Sequence, residues 1–169
     1  MMRIGLGRDL HRLVEGRPFL LAGVRLPSAK GEDGHSDGDV LAHAVIDAIL
    51  GAAALGDIGE LFSPEDPAWK DADSMKLLKQ SWARVKGAGW CLVNLDCCIV
   101  CEAPKILPMR DEIRSSLAAV LEAGREAVFV KAKTGEKLGP VGEGLAVEAE
   151  AVCLLEKVRR KKRGRTRAP

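Results

Sequence analysis

The chain has 169 residues, 47% of them hydrophobic, with 26 basic and 24 acidic side chains and a net charge of +2. That length suits one compact domain with a real core, and a second domain is not expected. No apolar run approaches the roughly 20 residues that cross a bilayer, and the N-terminus lacks the layout of a signal peptide, so a soluble cytoplasmic protein without a membrane partner is expected.

Residues 2–11, "MRIGLGRDLH", read as a strand, with Asp9 and His11 on one face because strand side chains alternate. Residues 17–27 read as one or two more strands with a turn near Ala22-Gly23, followed by the loop "SAKGEDGHSDG". From Asp39 to Leu55 apolar residues recur at helical spacing, and Ser36, three residues before Asp39, resembles a capping box. On this helix Asp39, His43 and Asp47 recur every four residues and share a face. Residues 56–73 read as loop, 74–86 as helix, 90–102 as strand, 110–123 as helix and 126–134 as strand. Residues 144–156 are ambiguous, since Ala and Glu favour helix while "AVCLL" suits a strand. Strands interleaved with helices indicate an α/β or α+β sandwich.

Five cysteines, at 91, 97, 98, 101 and 153, are odd in number and clustered, which suits reduced thiols rather than a disulfide framework. Alternation puts Cys91, Val93, Leu95, Cys97, Ile99 and Cys101 on one strand face, so core packing is expected ahead of a thiolate metal site. Residues 157–169 hold eight basic residues and no acidic one, leaving 18 basic against 24 acidic in the rest. A disordered, solvated tail is expected there; contact with RNA or an acidic partner is the alternative.

His43 can complete a three-donor set with Asp9 and His11, the number a catalytic zinc uses when one position stays open. A satisfied core histidine is the competing reading. His35 lies just outside the helix N-terminus, where backbone N–H groups favour anions. "APKILP" (103–108) is a proline-stiffened loop able to recognise a planar ring by shape, or simply a turn. In "KAKTGEKLG" (131–139), Lys131 and Lys133 share a strand face while Thr134 and Glu136 sit at its exit. That set can hold a phosphate and a hard cation, or be an ordinary solvated strand end.

Taken in order, "IGLGRDLH", "GRPFLLAGVRLP", "GHSDGDVLAHAVIDAILGAAALGDIGELF", "DADS", "APKILP" and "KTGE" resemble the 2-C-methyl-D-erythritol 2,4-cyclodiphosphate synthase family. The resemblance runs from residue 2 to about 156 and leaves out only the basic tail. It implies an α+β sandwich, a mixed sheet with helices on one face, assembled as a homotrimer with active sites between subunits, and it makes 144–156 a strand. It implies cyclisation of 4-diphosphocytidyl-2-C-methyl-D-erythritol 2-phosphate with release of CMP, a step of the non-mevalonate route to isoprenoids. Absence of a fused cytidylyltransferase domain suits a stand-alone enzyme.

By the same resemblance, Asp9, His11 and His43 are zinc ligands, and Glu136 holds a magnesium or manganese bridging the substrate phosphates. His35 and Thr134 help stabilise the transition state, with Ser36 beside His35 near phosphate. Asp57, Ile58 and Gly59 lie at the ribose, with Phe62 and Asp66 in the flap beyond. Cys101, Ala103, Pro104, Lys105 and Leu107 belong to the cytosine loop, and Lys133 adds a charge near phosphate. The chain departs from the family at "FSPEDP" (62–67), where Pro-Asp or Pro-Pro often follows the Phe, and at Lys133 and Gly135. Its short "PVGEG" (140–144) lacks an arginine that the family uses for anions in the central trimer cavity, so no prenyl diphosphate site is assigned there. Two other readings stand beside this one: a zinc hydrolase of another phosphate ester, and a trimeric or RNA-associated scaffold acting through the tail.

Overall fold

The structure, a computed structural model, describes residues 1–158. The expected tail lies outside these residues except at its first two positions. Strand β1 runs Met2–Glu15, four residues beyond the expected end, and the 17–27 segment is a hairpin of β2 (Phe19–Leu21) and β3 (Val24–Leu26). Its turn falls at Ala22-Gly23, both at positive φ. The expected loop 28–38 contains a further short strand, β4 (Lys30–Asp33), paired antiparallel with the end of β1.

Helix α1 (Val40–Ala53) is capped by Asp39, whose side chain accepts from the Ala42 N–H, rather than by Ser36. The expected loop 56–73 holds one helical turn, α2 (Ile58–Leu61), and a 3-10 turn at Pro67–Trp69. These short turns follow local Asp caps, Asp57 and Asp66, that periodicity over a long window does not register. Next come α3 (Ser74–Gly87), β5 (Trp90–Val100), α4 (Arg110–Val120), β6 (Val128–Lys133), the short α5 (Gly139–Gly142) and β7 (Ala146–Lys157). Helix α4 ends three residues before the expected 123, and β6 starts two residues after the expected 126 because Arg125–Ala127 form a 3-10 turn. The ambiguous segment is therefore a strand, and it continues one residue past 156.

Five strands form one mixed sheet in the order β4-β1-β7-β5-β6, with only β5 and β6 parallel; the β2–β3 hairpin stands apart. Helix α1 packs on β1 and β7, with α3 against its other side. Val40, Leu41, Ile46, Ile49 and Leu50 are completely buried there. The β1–α1 contact is set by small residues. A Cβ on Gly5 would stand 1.9 Å from the Ala48 carbonyl oxygen, and one on Gly7 would stand 2.0 Å from that of Ala44. Only glycine lets the strand lie this close, and that closeness carries His43 to the end of β1.

The cysteine pattern holds over half of β5. Leu95, Cys97, Ile99 and Cys101 are buried, but Cys91 is half-buried and Val93 is exposed. A bulge between Leu92 and Asn94 shifts the alternation by one residue, so Trp90 and Leu92 face inward instead. All five thiols are free, and burial pushes those of Cys101 and Cys153 up to about 11. The opposite sheet face is open and mixed, exposing Ile4, Leu6, Leu10, Phe129 and Val152 beside the ion pairs of Arg8 with Glu148 and of Lys131 with Asp96.

Candidate metal centre and its surroundings

Asp9, His11 and His43 come together at the end of β1 beside α1. His11 Nε2 and His43 Nδ1 each lie 3.0 Å from Asp9 Oδ2. One donor atom from each residue falls within 4.8 Å of the others, the one such group of His, Cys, Asp or Glu among the described residues. Burial opposes ionisation of Asp9, but hydrogen bonds from the two imidazoles outweigh it and hold the carboxyl well below the usual carboxylate range. Burial likewise lowers the His11 pKa, and the Asp9 carboxylate overrides it to leave His11 raised.

The outer nitrogens of both rings are occupied. His11 Nδ1 lies 2.6 Å from the Gly38 carbonyl, which can only accept, so this nitrogen carries a proton. His43 Nε2 meets the hydroxyls of Ser36 at 3.0 Å and Ser74 at 2.9 Å. Neutral rings held this way aim two lone pairs at one carboxylate oxygen, an arrangement that calls for a cation or for extra ring protons. Bonds of about 2.0–2.2 Å to nitrogen and oxygen fit donors so spaced, and two imidazoles with one carboxylate suit a divalent metal such as zinc. These residues fit the metal.

The helix stripe divides into three roles. Asp39 is fully buried and binds the N–H groups of Ala22, Gly23 and Ala42, tying the β2–β3 turn to α1; burial raises its pKa. His43 joins the metal group. Asp47 accepts from Ile58 N at 2.9 Å and so positions α2; burial raises its pKa too.

His35, Ser36, His43, Ile58, Gly59 and Phe62 line one cavity of about 220 Å³, closed on one side by Trp69, which packs edge-on against Phe62 at 5.0 Å. Asp57 caps α2 at 2.8 Å from Glu60 N, and Asp66 caps the following 3-10 turn at 2.9 Å from Ala68 N. A separate cavity of about 170 Å³ is lined by Cys101, Pro104, Lys105, Leu107, Lys133 and Thr134. Ala103 shapes its rim, joined to Pro104 by a cis peptide and accepting from Cys101 Sγ at 3.0 Å. Thr134 Oγ1 donates to Glu136 Oε1 at 2.9 Å, and Glu102 Oε2 accepts from Gly135 N at 3.1 Å, linking the two loops. The two cavities share no lining residue, with His35 in the first and Thr134 in the second. Lys131 is engaged by Asp96 at 2.5 Å, leaving Lys133 as the exposed cation on that strand end.

Three polar residues at the centre escaped the sequence reasoning. Asp37 and Ser74 back the His43 ring. Glu32 is completely buried with neither carboxylate oxygen hydrogen-bonded, and burial, with Asp39 nearby, pushes its pKa up to about 10. Ser74 closes the "DADS" motif, the one signal that could have drawn attention to it.

An α+β fold gathers two imidazoles and a carboxylate beside a buried serine pair, next to a cavity, and so presents a candidate divalent-metal site. Its family follows from similarity over nearly the whole chain. The pattern that defines the YgbB family matches residues 2–156. A 2-C-methyl-D-erythritol 2,4-cyclodiphosphate synthase from Treponema denticola is 56% identical over 154 residues, spanning 91% of this chain and 96% of its own. The synthase of the same name from Geobacillus kaustophilus is 53% identical over 157 residues, 93% and 99% of the two chains. Among solved structures, the bifunctional IspDF of Campylobacter jejuni superposes with a TM-score of 0.90 at 42% identity, covering 93% of this chain and 42% of that one. The Plasmodium falciparum IspF complex with CDP gives a TM-score of 0.82 at 32% identity, covering 94% and 97%. The chain belongs to the YgbB family, that of the 2-C-methyl-D-erythritol 2,4-cyclodiphosphate synthases.

Proposed function

We propose that this protein converts 4-diphosphocytidyl-2-C-methyl-D-erythritol 2-phosphate to 2-C-methyl-D-erythritol 2,4-cyclodiphosphate and CMP, in the non-mevalonate route to isoprenoid precursors. The observation that carries this reading is the Asp9, His11, His43 group opening beside the His35 and Ser36 cavity, in a chain 56% identical to a synthase of that name.

The reaction is an intramolecular phosphoryl transfer. An oxygen of the 2-phosphate attacks the β-phosphorus, the bond from that phosphorus to the bridging oxygen breaks, and CMP leaves with the electron pair. The nucleophile is already anionic, so no general base is needed; positioning and charge neutralisation do the work. A divalent cation held by Asp9, His11 and His43 supplies Lewis-acid neutralisation of phosphate charge. His35 and Thr134 donate to phosphate oxygens as charge shifts, with Ser36 beside His35. Asp57, Ile58 and Gly59 hold the ribose, while Phe62, with Asp66 beyond it, walls the cavity from water. Cys101, Ala103, Pro104, Lys105 and Leu107 form a slot for cytosine, in keeping with the CDP named in the Plasmodium falciparum complex. Lys133 pairs with phosphate, and Glu136, oriented by Thr134, would hold a magnesium or manganese that would neutralise further phosphate charge.

We infer further that three copies assemble with the reactive site between neighbours. The exposed Ile4, Leu6, Leu10, Phe129 and Val152 on the open sheet face support this, because clustered exposed apolar side chains mark interfaces. So does the separation of His35 from Thr134 into two cavities, each holding half of the groups the reaction requires.

Chromatography of the authentic substrate incubated with purified protein, zinc and magnesium tests the reaction. Equimolar CMP and cyclic diphosphate are expected. Release of inorganic phosphate instead would make the protein a phosphate-ester hydrolase and overturn the proposal.

A further inference from the structure

We infer that Asp37, acting through the Ser74 hydroxyl, fixes the proton of His43 on Nε2 and so keeps Nδ1 free as a metal donor. Asp37 touches neither the cation group nor the cavity that holds substrate, and is a positioning residue.

The inference follows from counting protons. Ser74 Oγ lies 2.5 Å from Asp37 Oδ1, and a carboxylate brings no proton, so the hydrogen between them is the serine's own. Having given that proton away, Ser74 Oγ can only accept from its other neighbours, His43 Nε2 at 2.9 Å and Ser36 Oγ at 3.2 Å. His43 therefore donates from Nε2. Ser36 is constrained the same way: it accepts from Gly38 N at 3.2 Å and its proton runs towards Ser74. Every hydrogen in this buried cluster points towards one sink, Asp37. Ser36 and Ser74 are both buried, so water does not scramble the order.

The carboxylate is itself held in place. Its Oδ2 accepts from Ser74 N at 3.0 Å, and its Oδ1 accepts also from Asp39 N at 3.2 Å. An asparagine at 37 would keep its oxygen on Ser74 N, the shorter backbone bond, and turn its NH2 towards Ser74 Oγ. Ser74 would then receive a proton from residue 37 and pass its own to His43 Nε2. That ring must carry its hydrogen on Nδ1, where the metal binds. The change is isosteric; it reverses the direction of the hydrogen bonds and removes one negative charge.

The inference rests on the reading of Asp9, His11 and His43 as a cation site, and zinc affinity measured by chelator competition tests the two separately. The wild-type chain is expected to bind one zinc, and D37N to bind it about 10–100-fold more weakly, the usual cost of losing an outer partner of a metal-bound histidine. S74A should lose less, because no donor is then forced onto Nε2 and Ser36 at 3.0 Å remains able to accept from it. The discriminating variant is the double one. With the Ser74 hydroxyl gone there is no hydrogen-bonded path from residue 37 to the ring, so D37N in the S74A background should cost clearly less affinity than it does in the wild-type background. A merely structural role, acting through the backbone bonds to Ser74 N and Asp39 N, would cost the same in both backgrounds and would overturn the inference. Wild-type affinity in D37N would overturn it too. A wild-type chain that takes up no zinc would overturn the underlying cation reading instead.

Discussion

The two halves of the site are built in opposite ways. The metal half, on β1 and α1, is half-buried and firmly held: each imidazole has a partner for its outer nitrogen, and the strand meets the helix at a distance only glycine permits. The nucleotide half, residues 101–107 and 133–136, is a pair of loops at one end of the parallel β5–β6 pair, joined by Glu102 and largely open. A group that must orient a metal needs fixed geometry, whereas binding residues are commonly carried on open loops. Rigidity is spent where charge must be neutralised, and openness is kept where substrate enters.

Substitutions at each half should therefore differ in kind. The largest effect is expected for His43→Ala, which should lower kcat by at least about 10²–10³, the scale of removing one preorganised charge-stabilising group, and abolish zinc binding. Steady-state kinetics and metal analysis on the intact assembly check this. Gly7→Ala comes next. A Cβ there collides with the Ala44 carbonyl, so the strand must move, at a cost of about 1–3 kcal/mol. Thermal melting should show the loss together with weakened zinc binding, which links the strand–helix approach to the site. Lys133→Ala, on the open half, should leave melting and zinc untouched and raise KM about tenfold, the scale of one lost charge-assisted hydrogen bond.

The last effect concerns Glu32, and it shows in the dependence on pH. Its folded pKa is raised to about 10, above its value in the unfolded chain, so its favourable contribution is complete at low pH and is lost progressively up to about pH 10. Glu32→Gln removes the titration. The variant should therefore lose less melting temperature than wild type between pH 6 and 9, as thermal scans across that range would show.

The halves also differed in how readily the sequence revealed them. Asp9 and His11 share a face by strand alternation, and His43 belongs to a helix whose period is plain. What joins them is written only as smallness, in Gly5 and Gly7 against Ala44 and Ala48, and smallness becomes a contact only once strand and helix are packed. Ser36 illustrates a different limit. Its position suited a cap, but Asp39 stands closer to the first turn and takes that role, freeing the Ser36 hydroxyl for His43. The Val93 bulge left no mark that alternation could read, since its neighbours Leu92 and Asn94 fit either register. For Thr134 and Glu136 the residues alone left a solvated strand end as the simpler reading, and the resemblance to the family singled them out.

The central claim is that the metal half of one copy works with the nucleotide half of its neighbour. Mixing two inactive variants tests it most directly: His43→Ala, which lacks the metal half, and Glu136→Ala, which lacks the second cation ligand. Each should be inactive alone. Co-refolded together, they should recover turnover, because some sites then draw His43 and Glu136 from different, intact copies. Mixed assemblies that stay as inactive as the separate variants would contradict the account and place both halves of the site within a single chain.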